Sequence, residues 1–247
     1  MSKQIIPYEY GRTFETTRRL HPRIWDADYC PVRGLADAIK EFAAEHVKSK
    51  MKVIDFGCGG KPYRSMFPDN CEYIGIDTHS NPHADVTIEP GQIVPLLDAV
   101  ADCIISTQVV YLIPGYNFYL RDCRRLLRPE GRMFITTHGT WTYHPASGGD
   151  YYRFTQDGLR HILREAGFEV EVMFPIVGTL GTGLHLRQLI FNTWLQKMPF
   201  GRGLAKLLNI FTNARILVED KCSPLGTRMS SPVILAAIAR PVGLPHE

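Results

Sequence analysis

The run MKVIDFGCGG at residues 51–60 restricts the fold of this chain more than any other segment. Met51, Val53 and Ile54 form an apolar stretch that ends in Asp55 and passes into a tight turn, Gly57-Cys58-Gly59-Gly60. Glycine permits positive φ and lets a ligand approach where a Cβ would block it. An acid beside such a turn suits a ligand with an amine or hydroxyls better than a bare phosphate. Tyr73-Ile74-Gly75-Ile76 is a second apolar stretch ending in a carboxylate, Asp77, seventeen residues after the last glycine. A strand-end acid about 20 residues beyond a glycine loop is the ribose-hydroxyl clamp of nucleoside-binding α/β sheets. The pair indicates an adenosine-type cofactor.

A chain of 247 residues is long enough for one large domain with a full three-layer core. Its 45% hydrophobic and 21% charged content is ordinary for a globular protein, and a net charge of +3 is too weak to argue for nucleic acid. The six cysteines (Cys30, Cys58, Cys71, Cys103, Cys123, Cys222) form no CxxC pair and no His-flanked metal spacing. Several fall in apolar patterns, so reduced, buried thiols in a cytoplasmic protein are expected. The N-terminal MSKQIIPYEYGR lacks the apolar core of a signal peptide, and no run approaches the roughly 20 apolar residues of a membrane span.

Residues 1–30, rich in aromatics and arginines, read as an extension over the core, and 1–50 as an N-terminal cap. Apolar positions from Val32 to Val47 recur at helical spacing. Strands are expected at 52–56, 73–77, near 85–88, 102–106, 131–137 and 168–174, with helices at 116–127 and 155–166. Arg128-Pro129-Glu130-Gly131 reads as a helix stop and turn, Thr155 as an N-cap and Gly167 as a helix-ending glycine. This alternation predicts a Rossmann-like, doubly wound α/β sheet, with the core spanning 51–177 and 231–240 of a single domain. Residues 178–222 interrupt it with two amphipathic helical patterns, about 184–197 and 201–211, whose polar face holds Arg187, Lys197, Arg202, Lys206 and Arg215. This insertion reads as a lid or dimer surface shaping an acceptor pocket, or as a basic apolar surface touching a membrane or lipid-linked substrate. The apolar run at 232–238 is expected as the last strand, antiparallel at the sheet edge.

With these residues in place, the chain resembles the class I S-adenosylmethionine-dependent methyltransferases, especially those of the methyltransferase-11 type. VIDFGCGG is similar to their first motif, YIGID to their second strand, ADVTIE to their third-strand segment, DCIISTQVV to the fourth strand and LLRPEGRMFITT to the helix–turn–strand after it. The ordered likeness covers roughly residues 50–175 and implies a seven-stranded sheet with an antiparallel last strand. HPASGGDYYRFTQDGLRHILREAGFEV is similar to a segment of methyltransferases near glycan and natural-product biosynthesis. Two positions depart from the pattern. Lys61 stands where many relatives have a third glycine, and Tyr111-Leu112 where many carry Glu-His, so a general base at that position is absent.

The resemblance implies that Asp55 lies near the methionine part of S-adenosylmethionine, directly or through water, with Gly57, Cys58 and Gly59 around it. It also implies that Asp77 accepts both ribose hydroxyls beside Thr78, that Glu89 sits near the adenine amine, and that Thr107 and Gln108 lie at the strand ends where ligands bind. For a hydroxyl acceptor the base is expected to be His144, with Asp150 orienting its imidazole. Tyr111, Tyr151, Tyr152 and Arg153 are expected to line the acceptor pocket, and no residue set has metal-site spacing. The leading expectation is O-methylation of a small-molecule, sugar or natural-product acceptor. The alternative is a non-catalytic cofactor-binding module that regulates a partner. An oxidoreductase is disfavoured because the loop lacks GxGxxG and no Tyr-x-x-x-Lys pair occurs.

Overall fold

The computed structural model describes residues 13–78, 81–144 and 149–242. Two helices, α1 (Thr13–Leu20) and α2 (Tyr29–His46), precede the sheet. The strands are β1 (Lys52–Phe56), β2 (Glu72–Thr78), β3 (Val86–Ile88), β4 (Ala101–Thr107), β5 (Leu127–His138), β6 (Phe168–Ile176) and β7 (Ile234–Pro241). Between them lie α3 (Tyr116–Leu126), α4 (Gln156–Glu165), α5 (Thr179–Leu195), α6 (Gly201–Cys222) and α7 (Leu225–Ser230). The seven strands follow the order β3-β2-β1-β4-β5-β7-β6.

β1 to β5 pair in parallel, and β7 runs antiparallel to both β5 and β6. The last strand is therefore antiparallel as expected, but it is inserted between β5 and β6 rather than set at the edge. Its burial explains the difference: Ile234 to Ala239 are all buried, whereas β6 is half-buried or exposed from Glu169 to Phe174. A strand covered on both faces reads as a continuous apolar run, and a strand with one open side does not. Arg128-Pro129-Glu130-Gly131 bulges out within β5 where only Asp102 separates the paired residues of β4, and Arg128 pairs with Asp102 across the gap.

Strand alternation divides the core. Ile54, Ile104, Met133 and Ile135 face Leu120, Cys123 and Leu126 of α3 and Leu159, Ile162 and Leu163 of α4. Val53, Cys103, Ile105 and Phe134 face Ile39, Phe42 and Ala43 of α2. The Thr155 side chain caps α4 by accepting from the Gly158 amide at 3.0 Å, and Gly167 ends it with φ +83°. Five cysteines are buried and Cys222 is exposed; all six are free thiols.

The long insertion forms an antiparallel pair, α5 and α6, on the α2 side of the sheet. Several of its polar side chains are on the inside. His185, Gln188, Asn192, Asn209 and Asn213 are buried. Asn192 and Asn209 exchange side-chain hydrogen bonds of 2.6 and 3.0 Å, Gln188 donates to Asn209, and Asn213 donates to the carbonyls of Ile24 and Asp26. No helix among the described residues is long and apolar enough to cross a membrane.

Candidate functional site

A cavity of about 760 Å³ opens at the carboxyl ends of the parallel strands, around the point where the chain leaves β1 for β2 on one side and β4 for β5 on the other. Ligands of open α/β sheets bind at this topological switch point. The wall from β2 to β5 crosses three strand spacings, about 14 Å. That width accommodates a nucleoside over β1 and β2 beside a second molecule over β4 and β5.

Asp55 closes β1 at the cavity floor and is only 1% exposed. Its Oδ2 accepts from the Tyr73 hydroxyl at 2.7 Å, while Oδ1 has no hydrogen-bond partner. Burial raises its pKa from 3.8 to about 7; the Tyr73 hydrogen bond opposes this and the Asp77 charge adds to it. The loop that follows needs its glycines. Gly57 has φ +76°, and a Cβ there would lie 2.3 Å from the Val109 side chain. Gly59 has φ +51° and faces open space in the cavity wall. Lys61, at the position of the third glycine, also takes a left-handed backbone with φ +50°. A non-glycine residue pays about 1 kcal/mol there; its ammonium meets Asp85 at 2.6 Å.

Asp77 lies at the end of β2 and already works within the protein. Its Oδ2 accepts from the Gly59 amide at 2.9 Å and from Asn81 Nδ2 at 2.8 Å, and Oδ1 accepts from the Thr78 amide at 2.7 Å. About one of a carboxylate's four acceptor positions is left over. A grip on two ribose hydroxyls therefore requires Asn81 or the loop to share. Asn81, buried and bonded also to the Gly59 carbonyl at 2.7 Å, ties the glycine loop to β2. Sequence reading missed it because an asparagine four residues beyond a strand-end acid carries no pattern.

Of the other expected cofactor residues, Cys58, Thr78, Glu89, Thr107 and Gln108 all line the cavity. Burial, with Asp55 and Asp77 nearby, raises the Cys58 thiol far above its usual range, so it stays protonated. Gln108 has φ +61°, its Nε2 donates to Thr136 at 3.1 Å, and its buried Oε1 is unpartnered. The unbonded Asp55 and Gln108 oxygens, the glycine cradle and the spare acceptor position on Asp77 together fit a nucleoside that carries an amino-acid group with a free ammonium.

Over β5 the wall is aromatic. Tyr111, His138, Trp141, His144 and Tyr151 line the cavity; Asp150, Tyr152 and Arg153 are absent from the wall. Asp150 reaches His144 through its backbone amide, at 2.7 Å, rather than through the imidazole it was expected to orient. Both Asp150 oxygens are held by Arg153, which also donates to the Thr142 carbonyl at 3.0 Å and lies over the Tyr111 ring. These bonds make Arg153 a clasp for the loop after β5. Tyr152 donates to the Pro114 carbonyl at 2.9 Å and packs on Tyr116.

His138, the last residue of β5, went unselected in the sequence although the strand-end rule that picked Thr107 and Gln108 applies to it. It is stacked on Trp141 with ring centroids 4.6 Å apart, its Nδ1 is buried and unpartnered, and burial pulls its pKa down to about 3. It is therefore neutral near pH 7. Arg18, Arg19 and Asp28 bring α1 and the start of α2 to the wall, with Arg18 paired to Asp28. No residue of 178–222 lines the cavity; the insertion reaches it only from behind, where His185 packs on Trp141 at 4.9 Å. The expected lid over the acceptor pocket is thus a backing helix.

Solved structures share this architecture. The [4+2]-cyclase SpnF superposes with a TM-score of 0.53 at 18% identity, over 84% of this chain and 81% of that one. The Burkholderia thailandensis 1,6-didemethyltoxoflavin-N1-methyltransferase, with 1,6-didemethyltoxoflavin and S-adenosylhomocysteine bound, gives 0.52 at 14%, over 93% and 86%. Phosphoethanolamine N-methyltransferase 2 of Haemonchus contortus with S-adenosyl-L-methionine gives 0.50 at 18%, over 85% and 52%. At such identities the likeness concerns the fold. No curated protein matches the chain by sequence. The methyltransferase-23 family model, described as a methyltransferase domain, matches residues 28–172. Because that match runs from the helix before β1 to well inside β6, more than half of the chain, the protein belongs to the class I S-adenosylmethionine-dependent methyltransferases.

Proposed function

We propose that the protein transfers a methyl group to a hydroxyl of a small-molecule, sugar or natural-product acceptor seated over β4 and β5. Bound S-adenosylmethionine supplies an electrophilic methyl. The chain's own residues would hold it and manage the acceptor. Asp55 would receive the ammonium, Asp77 a ribose hydroxyl, and Gly57 and Gly59 would let the cofactor lie against the backbone. Glu89 would lie near the adenine amine, and Tyr111, Trp141 and Tyr151 would cover the acceptor ring.

The observation that carries the reading is His144: an exposed imidazole on the aromatic side of the cavity, on a backbone pinned by Asp150 and Arg153. It would take the hydroxyl proton, with neutral His138 beneath it at 6.5 Å between ring centroids. The test is turnover with an acceptor found by screening, with the methylated product identified by mass spectrometry. His144→Ala is expected to lower kcat by roughly 10²–10⁴-fold with cofactor affinity nearly intact. Unchanged turnover would point to an acceptor that needs no base, such as an amine, or to a base elsewhere in the cavity wall. Tight cofactor binding without turnover on any acceptor class would favour the regulatory module instead.

A further inference from the structure

The α5–α6 pair has its amphipathicity inverted. Helices that pack on a water-soluble core bury their apolar stripe and expose polar residues. Here Thr182, His185, Gln188 and Asn192 of α5 and Asn209 and Asn213 of α6 are buried. Ile190, Phe191 and Trp194 of α5 and Leu204, Leu207, Phe211 and Val218 of α6 stand exposed at helical spacing. At the tip joining the helices, Phe200 is 96% exposed and Met198 is exposed beside it. Interhelical amide bonds with large apolar side chains outside are the arrangement of helices whose surroundings are lipid.

Charge identifies which lipid. Residues 178–218 contain Arg187, Lys197, Arg202, Lys206 and Arg215 and no acid. All five cations are exposed, and Lys197 and Arg202 flank the tip. A groove of about 270 Å³ between the helices has apolar walls from Leu184, Phe191, Leu208 and Phe211, with Arg187 and Arg215 beside it. Arg215 also holds Glu219 at 2.7 Å. Apolar walls next to guanidinium groups match an acyl chain below a phosphate. Neither helix is long and apolar enough to cross a membrane.

We propose that the α5–α6 hairpin docks this enzyme on the surface of an anionic phospholipid membrane, with Met198 and Phe200 dipping below the phosphates and the flanking cations pairing with them. The proposal is independent of the acceptor and of the base. It is tested by flotation of the full chain with vesicles of phosphatidylcholine alone and of phosphatidylcholine and phosphatidylglycerol in equal parts. The protein is expected to float with the anionic vesicles only, and to be released by high salt. Phe200→Asp, at a left-handed backbone position that aspartate tolerates, lowers partitioning at least about tenfold. Lys197→Ala and Arg202→Ala each lower it about fivefold. Circular dichroism and S-adenosylhomocysteine affinity stay unchanged in all three. Wild-type protein left unbound by anionic vesicles overturns the proposal. So does a lipid-free dimer, seen by sedimentation equilibrium, that Phe200→Asp dissociates.

Discussion

Asp55 carries one bonded oxygen and one bare one inside a buried pocket, and its ionisation should therefore report cofactor binding. Burial lifts its pKa to about 7 from 3.8, so the empty protein loses stability from this group as pH rises from about 4 through 7. An ammonium at Oδ1 reverses the balance by favouring the carboxylate. Cofactor binding below pH 7 should then expel a proton, and affinity should rise with pH by up to about tenfold per unit before levelling above about 8. Calorimetry in buffers of different ionisation enthalpy measures the proton directly. Asp55→Asn should weaken binding by about 1–3 kcal/mol and flatten the pH dependence. A pH-independent affinity in wild type would put the ammonium elsewhere. At this scale the glycines and strand-end acids were legible because their backbone geometry admits few alternatives. Asn81 was not, since its role depends on the Gly59 carbonyl that the loop after β1 brings to it, whereas His138 was open to the strand-end rule.

Among the elements, strands and helices were readable from periodicity, but their neighbours were not. The 232–238 run announced a buried strand, yet its insertion between β5 and β6 depends on β6 taking the edge, which periodicity does not encode. The insertion misled for a related reason: its apolar stripe was legible, and a stripe is normally buried, whereas here buried amides claim the inner face. His185 is the clearest sign of that inversion. It is fully buried with both ring nitrogens unpartnered, and burial, opposed by the Asp28 charge, lowers its pKa to about 4. The unfolded imidazole, near 6.5, binds a proton first, so the stability associated with neutral His185 is complete above pH 6.5 and is lost as pH falls toward 4. The loss is on the order of 3 kcal/mol. His185→Leu should remove that loss and, by eliminating two unsatisfied polar atoms, stabilise the protein at pH 7 by about 1–3 kcal/mol. His138, with its pKa near 3, would keep part of the acid sensitivity in the variant. Urea titrations at pH 7 and pH 5 check both parts. A destabilised variant at pH 7 would show that the ring nitrogens are bonded in solution, for instance through buried water.

For the whole molecule, the sheet separates two surfaces with different tasks. The cavity lies at the carboxyl ends of the strands and is walled by the glycine loop, the end of β2, the loops after β3, β4 and β5, and the start of α2, while the hairpin packs on α2 and contributes nothing to that wall. If the two act separately, each ligand should protect its own backbone in hydrogen exchange. S-adenosylhomocysteine should slow exchange at residues 57–61, 76–81 and 107–112, because a ligand that binds only the folded state suppresses local opening around itself. At a hundred times its Kd the ligand adds about 2.7 kcal/mol to global stability, so the readout must be taken on fast, locally opening amides rather than on the slowest core. Residues 184–211 should exchange at an unchanged rate. Anionic vesicles should give the converse, with protection at 194–207 and none at the glycine loop. Protection of the hairpin by S-adenosylhomocysteine alone would mean that it closes over the cavity after all, and would restore the lid that the helical pattern first suggested.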